Sequence, residues 1–279
     1  MITSPHFLLF TSNRLGSKTK RETHTMLLTV TIYAVFIICA YLWGSLNFAI
    51  LISKLKGRDI RKLGSGNAGT MNIRRNFGFK FGVLCLLLDM LKGLLPSIIG
   101  WWLLGGAGRG GFGTERFGFN GDNRIGIYIG GFTAVFGHIF PIWYKFKGGK
   151  GIASSIGVGL AINPLLTIIC FFVAIVFMII TAMGSVTSFL VITPPLIYEL
   201  LRLHGGGVDF LAAQILVFGL FFLTMWAHRM NFVRLFAGNE SKTVVFGKKR
   251  KARAKEAKAA EAERQRLKAE AKAKSKAAV

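Results

Sequence analysis

The feature that most constrains this chain is a series of long apolar runs with almost no charge inside them. Hydrophobic residues make up 52% of the 279 residues, and most charged residues lie between the runs. The runs are Met26–Ile52, Phe81–Leu104, Ile125–Trp143, Ile152–Met183, Val186–Leu201 and Phe210–Ala227. A helix that crosses a bilayer needs about 20 apolar residues, so most runs are long enough or nearly so. The pattern predicts an all-α polytopic membrane protein rather than a soluble domain.

The number of membrane crossings follows from one break and from the positions of the basic segments. Asn163-Pro164 interrupts the longest run, and proline favours the start of a helix over its interior, so this run is predicted to form two helices. Seven crossings place the basic loops between spans and the basic tail on one side, although the positive charge in residues 14–21 then lies on the other side. Five crossings, with some runs re-entrant, do the same, whereas six would separate the basic C-terminal tail from the rest. We therefore expect about seven transmembrane helices, with five as the alternative.

Positive charge is concentrated in two segments next to apolar runs. The formal net charge is +24, with eight basic residues and one acidic residue in 54–80, and thirteen basic and four acidic residues in 247–279. Basic flanks of membrane spans favour the cytoplasmic side and attract anionic lipids of the bilayer. No nucleic-acid partner is indicated, because no segment predicts a folded basic domain. The composition divides the chain into a polar N-terminal extension (1–25), an integral membrane domain (26–242) and a basic cytoplasmic tail (243–279).

The cysteine pattern argues against a disulfide framework and against a structural metal. Cys39, Cys85 and Cys170 all lie inside apolar runs, their number is odd, and they lack Cys-x-x-Cys spacing. We expect packing roles for them, and neither a metal nor a cofactor.

Three polar stretches adjoin the apolar runs, and we call them motif one (64–75), motif two (137–151) and motif three (228–240). Small residues let backbone N–H groups approach an anion closely, and Arg, Lys and Asn side chains complete a phosphate site. Taken alone, each stretch has a simpler explanation: a flexible loop, a basic flank of a span, or an interfacial histidine. Together they favour a membrane protein that handles a phosphorylated substrate at the membrane surface.

In order and separation, the three motifs closely resemble those of the bacterial acyl-phosphate:glycerol-3-phosphate acyltransferases, the PlsY family. The resemblance covers about residues 26–242. The matching residues are Gly64, Ser65, Gly66, Asn67, Gly69, Asn72 and Arg75 in motif one, Gly137, His138, Phe140, Pro141, Phe146, Lys147, Gly148, Gly149, Lys150, Gly151 and Ala153 in and just after motif two, and His228, Asn231, Arg234, Leu235, Gly238 and Glu240 in motif three. Departures from the family pattern occur at Asn47, Thr70-Met71 and Ser154.

The resemblance implies a reaction and a place for it. A fatty acyl group passes from acyl phosphate to the sn-1 hydroxyl of glycerol 3-phosphate, which gives 1-acylglycerol 3-phosphate (lysophosphatidic acid) and phosphate. The implied location is the bacterial inner membrane, with the active site facing the cytoplasm. Because acyl phosphate is already activated, no covalent acyl-enzyme is required. The proton of the attacking hydroxyl can pass to His228, to His138 or to a phosphate oxygen of the substrate.

The resemblance and the motif chemistry together assign roles to individual residues, and the seven-span topology adds Ser185 and Ser188, which it places beside the motifs. The expected catalytic residues are Ser65, Arg75, His228 and Asn231. The expected substrate-binding residues are Gly64, Gly66, Asn67, Asn72, His138, Lys147, Gly148, Gly149, Lys150, Gly151, Ser185, Ser188 and Arg234, with glycerol 3-phosphate at Gly148–Gly151. Glu240 is expected to be structural, pairing with Arg234 or with a lysine of the motifs.

The alternative function is a small-solute or ion transporter. Transporters carry ionisable residues within their spans. Here Asp89 and Lys92, three residues apart on one face of the second run, are the main candidates, and they could simply neutralise one another.

Overall fold

The computed structural model describes residues 5–104, 124–204 and 210–237, with side chains from Lys20 onward, and these residues form ten α-helices and two short 3₁₀ helices. The α-helices are α1 (Pro5–Gly44), α2 (Phe48–Leu55), α3 (Thr70–Phe77), α4 (Phe79–Leu104), α5 (Ile125–Ile139), α6 (Ile152–Ile162), α7 (Pro164–Thr181), α8 (Gly184–His204), α9 (Leu211–Ala227) and α10 (Arg229–Phe236). The 3₁₀ helices are Ile60–Lys62 and Ile142–Tyr144. Helix α1 runs without a break through the expected boundary at residue 25, and the tail 243–279 lies outside the described residues.

Within the described ranges, five helical segments are long and apolar enough to cross a membrane. They are Lys20–Gly44, Phe79–Leu104, Ile125–Tyr144, Pro164–Thr181 and Gly184–His204. Helices α9 and α10, which meet at an angle of 53°, make a sixth if the bent pair counts as one span. The prediction of an all-α polytopic membrane protein is therefore confirmed, and the five-span count is met by length alone.

The predicted break in the longest apolar run separates α6 from α7. Asn163 caps α7, because its Oδ1 accepts a hydrogen bond from the Leu166 N–H at 3.1 Å, and Pro164 follows as the first helical residue. Helix α6 has only 11 residues, so it is about 16 Å long, roughly half the thickness of a bilayer core.

Side-chain contacts at both ends show how the helices alternate in direction. Lys150, just before α6, hydrogen-bonds to Asn231 of α10, and Asn231 in turn contacts Ser185 at the start of α8. Helix α7 therefore ends on the face where α6 begins, so α6 leads away from this face and α7 returns to it. Helices α6, α7 and α8 thus pass alternately between two faces. We call the face that carries Lys150 the motif face.

A charged cluster ties the helices together on the opposite face. The buried Glu199 carboxylate of α8 accepts hydrogen bonds from Tyr128 of α5 and from Arg202, whose Nη2 is 2.7 Å away. Arg124, before α5, lies 3.7 Å from the same carboxylate oxygen and 3.5 Å from the Ile162 carbonyl at the end of α6. This far-face cluster fixes the ends of α5, α6 and α8 relative to one another.

Glycines bring the central helices α4, α5 and α6 unusually close. A Cβ on Gly126 of α5 would overlap the backbone of Gly100 in α4, and a Cβ on Gly157 of α6 would overlap the Met90 carbonyl of α4. Small residues at such contacts are the usual means of close helix packing in membranes, where dispersion replaces the hydrophobic drive. This packing buries the side chains of α4 that face α5 and α6.

Candidate active site

Motif one is a loop whose shape depends on two glycines. Gly64 and Gly66 have φ values of +56° and +71°, in the left-handed region that glycine adopts without a steric penalty. The loop follows the 3₁₀ helix, where Asp59 caps the backbone N–H of Arg61. Hydrogen bonds from the Arg61 guanidinium lower the pKa of Asp59 to about 2, so this carboxylate is ionised at neutral pH.

The side chain of Asn72 holds the motif-one loop together from below. It is 1% exposed, and its Nδ2 donates to the carbonyl oxygens of Ile60, Leu63 and Asn67 at 3.2, 2.9 and 3.0 Å. Its Oδ1 accepts from the Ser65 N–H at 3.3 Å and from Asn76 Nδ2 at 3.0 Å. The amide group is therefore occupied by protein partners, and the geometry favours loop organisation over substrate contact for this residue.

Two of the expected catalytic residues lie on the exposed side of motif one. Ser65 is exposed, and its Oγ accepts from the Asn67 N–H at 3.4 Å. Arg75, in the last turn of α3, is exposed as well. Both side chains can be reached from the motif face.

Motif two turns sharply after α5 and returns beneath motif one. Lys145 and Phe146 have φ values of 55° and 57°, which non-glycine residues adopt only where the surroundings hold them. The N–H groups of Gly148 and Gly149 then donate to the carbonyl oxygens of Ile139 and His138 at 3.2 and 3.1 Å. The loop is thereby pinned to the end of α5, and Lys147 remains exposed.

Gly149 is the point where motifs one and two meet. A Cβ at this position would overlap the His138 imidazole and would lie 2.8 Å from the carbonyl oxygen of Ala68 in motif one. Only glycine leaves room for this approach. The next glycine, Gly151, has φ +82° and starts α6.

Motif three completes the site through the residue that follows Gly149. Lys150 Nζ donates a hydrogen bond to Asn231 Oδ1, and Asn231 Nδ2 donates to Ser185 Oγ at 2.8 Å. Adjacent residues of one loop therefore connect all three motifs, because Gly149 packs against motif one and Lys150 binds motif three. The structure brings together four of the expected residues in this way: Gly149, Lys150, Asn231 and Ser185.

His228 sits at the bend between α9 and α10 with one ring nitrogen fixed. Nδ1 lies 2.9 Å from the carbonyl oxygen of Thr224, which can only accept, so Nδ1 carries the proton and Nε2 keeps the lone pair of the neutral ring. The ring is 2% exposed and meets the edge of Phe189, with centroids 5.4 Å apart. This tautomer is the one that a general base at Nε2 requires.

Three expected residues are placed differently from the connected group. Ser188 Oγ donates to the Gly184 carbonyl of its own helix at 2.9 Å, and Arg234 is exposed on α10. Glu240 lies outside the described residues. Sequence reasoning also missed two neighbours of His228, namely Thr224 and Phe189. Thr224 could have been found, because it lies four residues before His228 on the same helical face.

Comparisons with known proteins find matches over most of the chain. A family profile described as glycerol-3-phosphate acyltransferase matches residues 34–238. The glycerol-3-phosphate acyltransferase of Mycoplasmopsis pulmonis is 35% identical over 234 residues, which cover 80% of this chain and 97% of that protein. The crystal structure of PlsY, an integral membrane glycerol 3-phosphate acyltransferase, in its glycerol 3-phosphate form has a TM-score of 0.59 at 32% identity, covering 75% of this chain and 94% of that one. Its lysophosphatidic acid form has a TM-score of 0.58 at 31% identity, with the same coverage.

Proposed function

The chain belongs to the glycerol-3-phosphate acyltransferase family, and on that premise we propose that it transfers a fatty acyl group from acyl phosphate to the sn-1 hydroxyl of glycerol 3-phosphate. The products are 1-acylglycerol 3-phosphate and inorganic phosphate. The observation that carries the proposal is the hydrogen-bonded chain from Lys150 through Asn231 to Ser185, with Gly149 packed against motif one. It gathers a cation, an amide and a hydroxyl beside a glycine loop, which suits a phosphate group.

The proposed step is a direct displacement. The hydroxyl oxygen of glycerol 3-phosphate attacks the carbonyl carbon of the acyl phosphate, the bond from that carbon to the phosphate oxygen breaks, and phosphate leaves with the electron pair. The proton of the hydroxyl passes to Nε2 of His228, whose tautomer is set by Thr224. Lys150, Arg75 and the Ser65 hydroxyl stabilise negative charge on the phosphates. The remaining exposed basic residues, Lys147 and Arg234, attract the anionic substrates.

The first test compares acyl donors. Purified protein is given labelled glycerol 3-phosphate with either palmitoyl phosphate or palmitoyl-CoA. Labelled 1-acylglycerol 3-phosphate is expected from palmitoyl phosphate alone. Product from the thioester would contradict the donor assignment, and no product from either donor with folded protein would contradict the reaction.

A second test addresses the residues that carry the site. Asn231→Ala removes the acceptor of Lys150 and the donor to Ser185, and Arg75→Ala removes a phosphate cation, so each is expected to lower kcat/KM by about 100-fold. Arg229→Ala is a matched control. Arg229 is a basic residue of α10, the helix that carries Asn231, but its guanidinium stacks on the Trp226 ring, 4.1 Å from the ring centre. It should stay within about twofold of the wild type. Wild-type activity in Asn231→Ala or Arg75→Ala would contradict the assignment.

The identity of the proton acceptor has its own test. With His228 as the base, His228→Asn should lower kcat by at least about 100-fold and remove the acidic limb of the pH–rate profile. A variant that keeps that limb and most of its kcat would assign the proton to a phosphate oxygen of the substrate instead.

We further propose that the motif face is cytoplasmic and that the protein resides in the bacterial inner membrane. The basic residues of α2 and of motifs one and two lie on this face, as positive charge does in cytoplasmic loops. A cysteine at exposed Arg58 should react with an impermeant thiol reagent only after cells are opened, whereas one at His204, at the opposite end of α8, should react in spheroplasts. The reverse labelling pattern would contradict this orientation.

Helix α10 supports a further contact of the motif face, with the surface of an anionic bilayer. It exposes Met230, Val233 and Phe236 to 53%, 59% and 86%, and it carries Arg229 and Arg234 beside them. An apolar stripe next to basic residues is typical of helices that lie in the membrane interface. We propose residues 26–242 as the membrane acyltransferase domain, a boundary that the family match at 34–238 supports.

A further inference from the structure

Three ionisable side chains are buried together between α4 and the end of α5. Asp89, Lys92 and His138 are 1%, 0% and 3% exposed. Lys92 Nζ lies 2.9 Å from Asp89 Oδ1, 3.1 Å from His138 Nδ1 and 4.9 Å from the centre of the Phe48 ring. Each of the three ammonium hydrogens thus has one partner: a carboxylate, an imidazole nitrogen and an aromatic face. Ionisable groups within a membrane span are costly, so a buried set built around a fully partnered ammonium group indicates a role.

The contact with Lys92 also determines which ring nitrogen of His138 carries the proton. An ammonium group has no lone pair, so Nδ1 must accept, and the proton of the neutral ring resides on Nε2. Nε2 faces Gly149, since a Cβ on Gly149 would overlap it, and the carbonyl oxygen of Ala68 borders the same space. The edge of the imidazole therefore packs against the point where motifs one and two meet.

The backbone of His138 acts on the same loop. Its carbonyl oxygen accepts from the Gly149 N–H at 3.1 Å, so ring and backbone of one residue hold Gly149 from two directions. The next residue is Lys150, whose Nζ reaches Asn231 of motif three. A shift of the His138 ring would move Gly149 and, with it, Lys150.

We propose that Asp89 and Lys92 are positioning residues for acyl transfer, acting through His138. Asp89 orients the Lys92 ammonium group. Lys92 in turn fixes the tautomer and the rotation of the His138 ring, and the ring fixes the position of the Gly148–Gly151 loop. His138 then lies under the substrate site and shapes it, while Lys150 makes the contact with phosphate. This inference rests on the proposed binding of glycerol 3-phosphate at that loop.

The test separates the two Michaelis constants of the reaction. In Lys92→Met, the KM for glycerol 3-phosphate should rise at least tenfold, while the KM for palmitoyl phosphate stays within twofold. The matched control is Glu199→Gln, which breaks the buried cluster of the far face and should lower the melting temperature in detergent without changing either KM. An equal rise of the glycerol 3-phosphate KM in Glu199→Gln would overturn the proposal, because the effect would then be one of general stability.

A double variant distinguishes positioning from simple charge balance. Asp89→Asn with Lys92→Met leaves no buried charge but also no donor to His138 Nδ1. If the pair only neutralises itself, the double variant recovers the wild-type KM, which would overturn the proposal. We expect the KM to stay raised at least tenfold. Lys92→Met alone leaves an uncompensated buried carboxylate, which destabilises the protein. If the single variant cannot be purified for this reason, the double variant serves as the test.

The contact between His138 and Gly149 can be tested from its other side. Gly149→Ala should raise the glycerol 3-phosphate KM at least tenfold in the wild-type background, because the new methyl group overlaps the ring. In a His138→Ala background the overlap with the ring is removed and only the Ala68 carbonyl oxygen, 2.8 Å away, still meets the new methyl group, so the same change should raise the KM clearly less than it does in the wild type. Additive effects would mean that the ring does not support the loop. Failure of the wild-type protein to use palmitoyl phosphate at all would count against the proposed function instead.

Discussion

Asn72→Ala should open the motif-one loop without disturbing the membrane helices. The Asn72 amide has two N–H hydrogens, which are shared among three backbone carbonyl oxygens at 2.9–3.2 Å. Each such hydrogen bond is worth about 1 kcal/mol net, so the buried donors contribute about 2 kcal/mol to keeping the loop closed. The bonds accepted by Oδ1 add less, because the exposed Ser65 and its neighbours can turn to water. A loss of about 2 kcal/mol shifts the opening equilibrium of the loop by about 30-fold.

Hydrogen exchange measured by mass spectrometry reads this equilibrium directly. Amides of residues 63–69 should exchange about 30-fold faster in Asn72→Ala, while peptides from α4 and α5 keep their wild-type rates. Asn76→Ala is the matched control, since Asn76 gives the loop only a donor to Asn72, and it should change exchange by less than about fivefold. Equal exchange in Asn72→Ala and Asn76→Ala would refute the view that Asn72 organises the loop.

Three further changes test packing, strain and charge. Gly157→Ala places a methyl group on the Met90 carbonyl and should cost about 1–3 kcal/mol, seen as a lower melting temperature in detergent, whereas Gly219→Ala, whose nearest neighbour is 3.2 Å away, should cost less. Lys145→Val puts a β-branched residue at φ 55° and should lower the melting temperature more than Lys145→Asn does. The lowered pKa of Asp59 means that its stabilisation is complete above about pH 4 and is lost as pH falls through about 2, so Asp59→Asn should destabilise equally at pH 5 and pH 9.

The helical framework could be predicted from the sequence because long apolar runs identify membrane-spanning helices. The break at Asn163-Pro164 was predicted from proline chemistry alone, and the structure has it at that position with Asn163 as the cap. The number of spans was harder to predict, because the length of a helix does not decide whether it leads from one face of the protein to the other. Helix α6 is too short to pass a length criterion, yet it leads away from the motif face as a full span would.

The site divides in a similar way. The resemblance singled out Lys150 and Asn231, and Ser185 was among the expected substrate-binding residues, but the hydrogen bonds that join these three residues cross 81 and 46 residues of sequence. Such pairings depend on how the helices pack, and they produce no periodic pattern in the sequence. Asn72 shows the opposite difficulty. This conspicuous polar residue of motif one is buried and hydrogen-bonds to the carbonyl oxygens of its own loop, which the sequence alone does not reveal.

The short helix α6 limits the distance between the candidate site and the charged cluster of the opposite face. Its far end lies beside Arg124, and its 11 residues span about 16 Å; along α8, the 14 residues from Ser185 to Glu199 span about 21 Å. If a hydrocarbon core about 30 Å thick has its far boundary at this charged cluster, it extends about 10 Å past the level of Lys150 and Ser185. In the proposed reaction, glycerol 3-phosphate would then enter the leaflet to meet an acyl donor that lies there. The proposed product would form at the depth where a lipid resides, and it could leave sideways between helices.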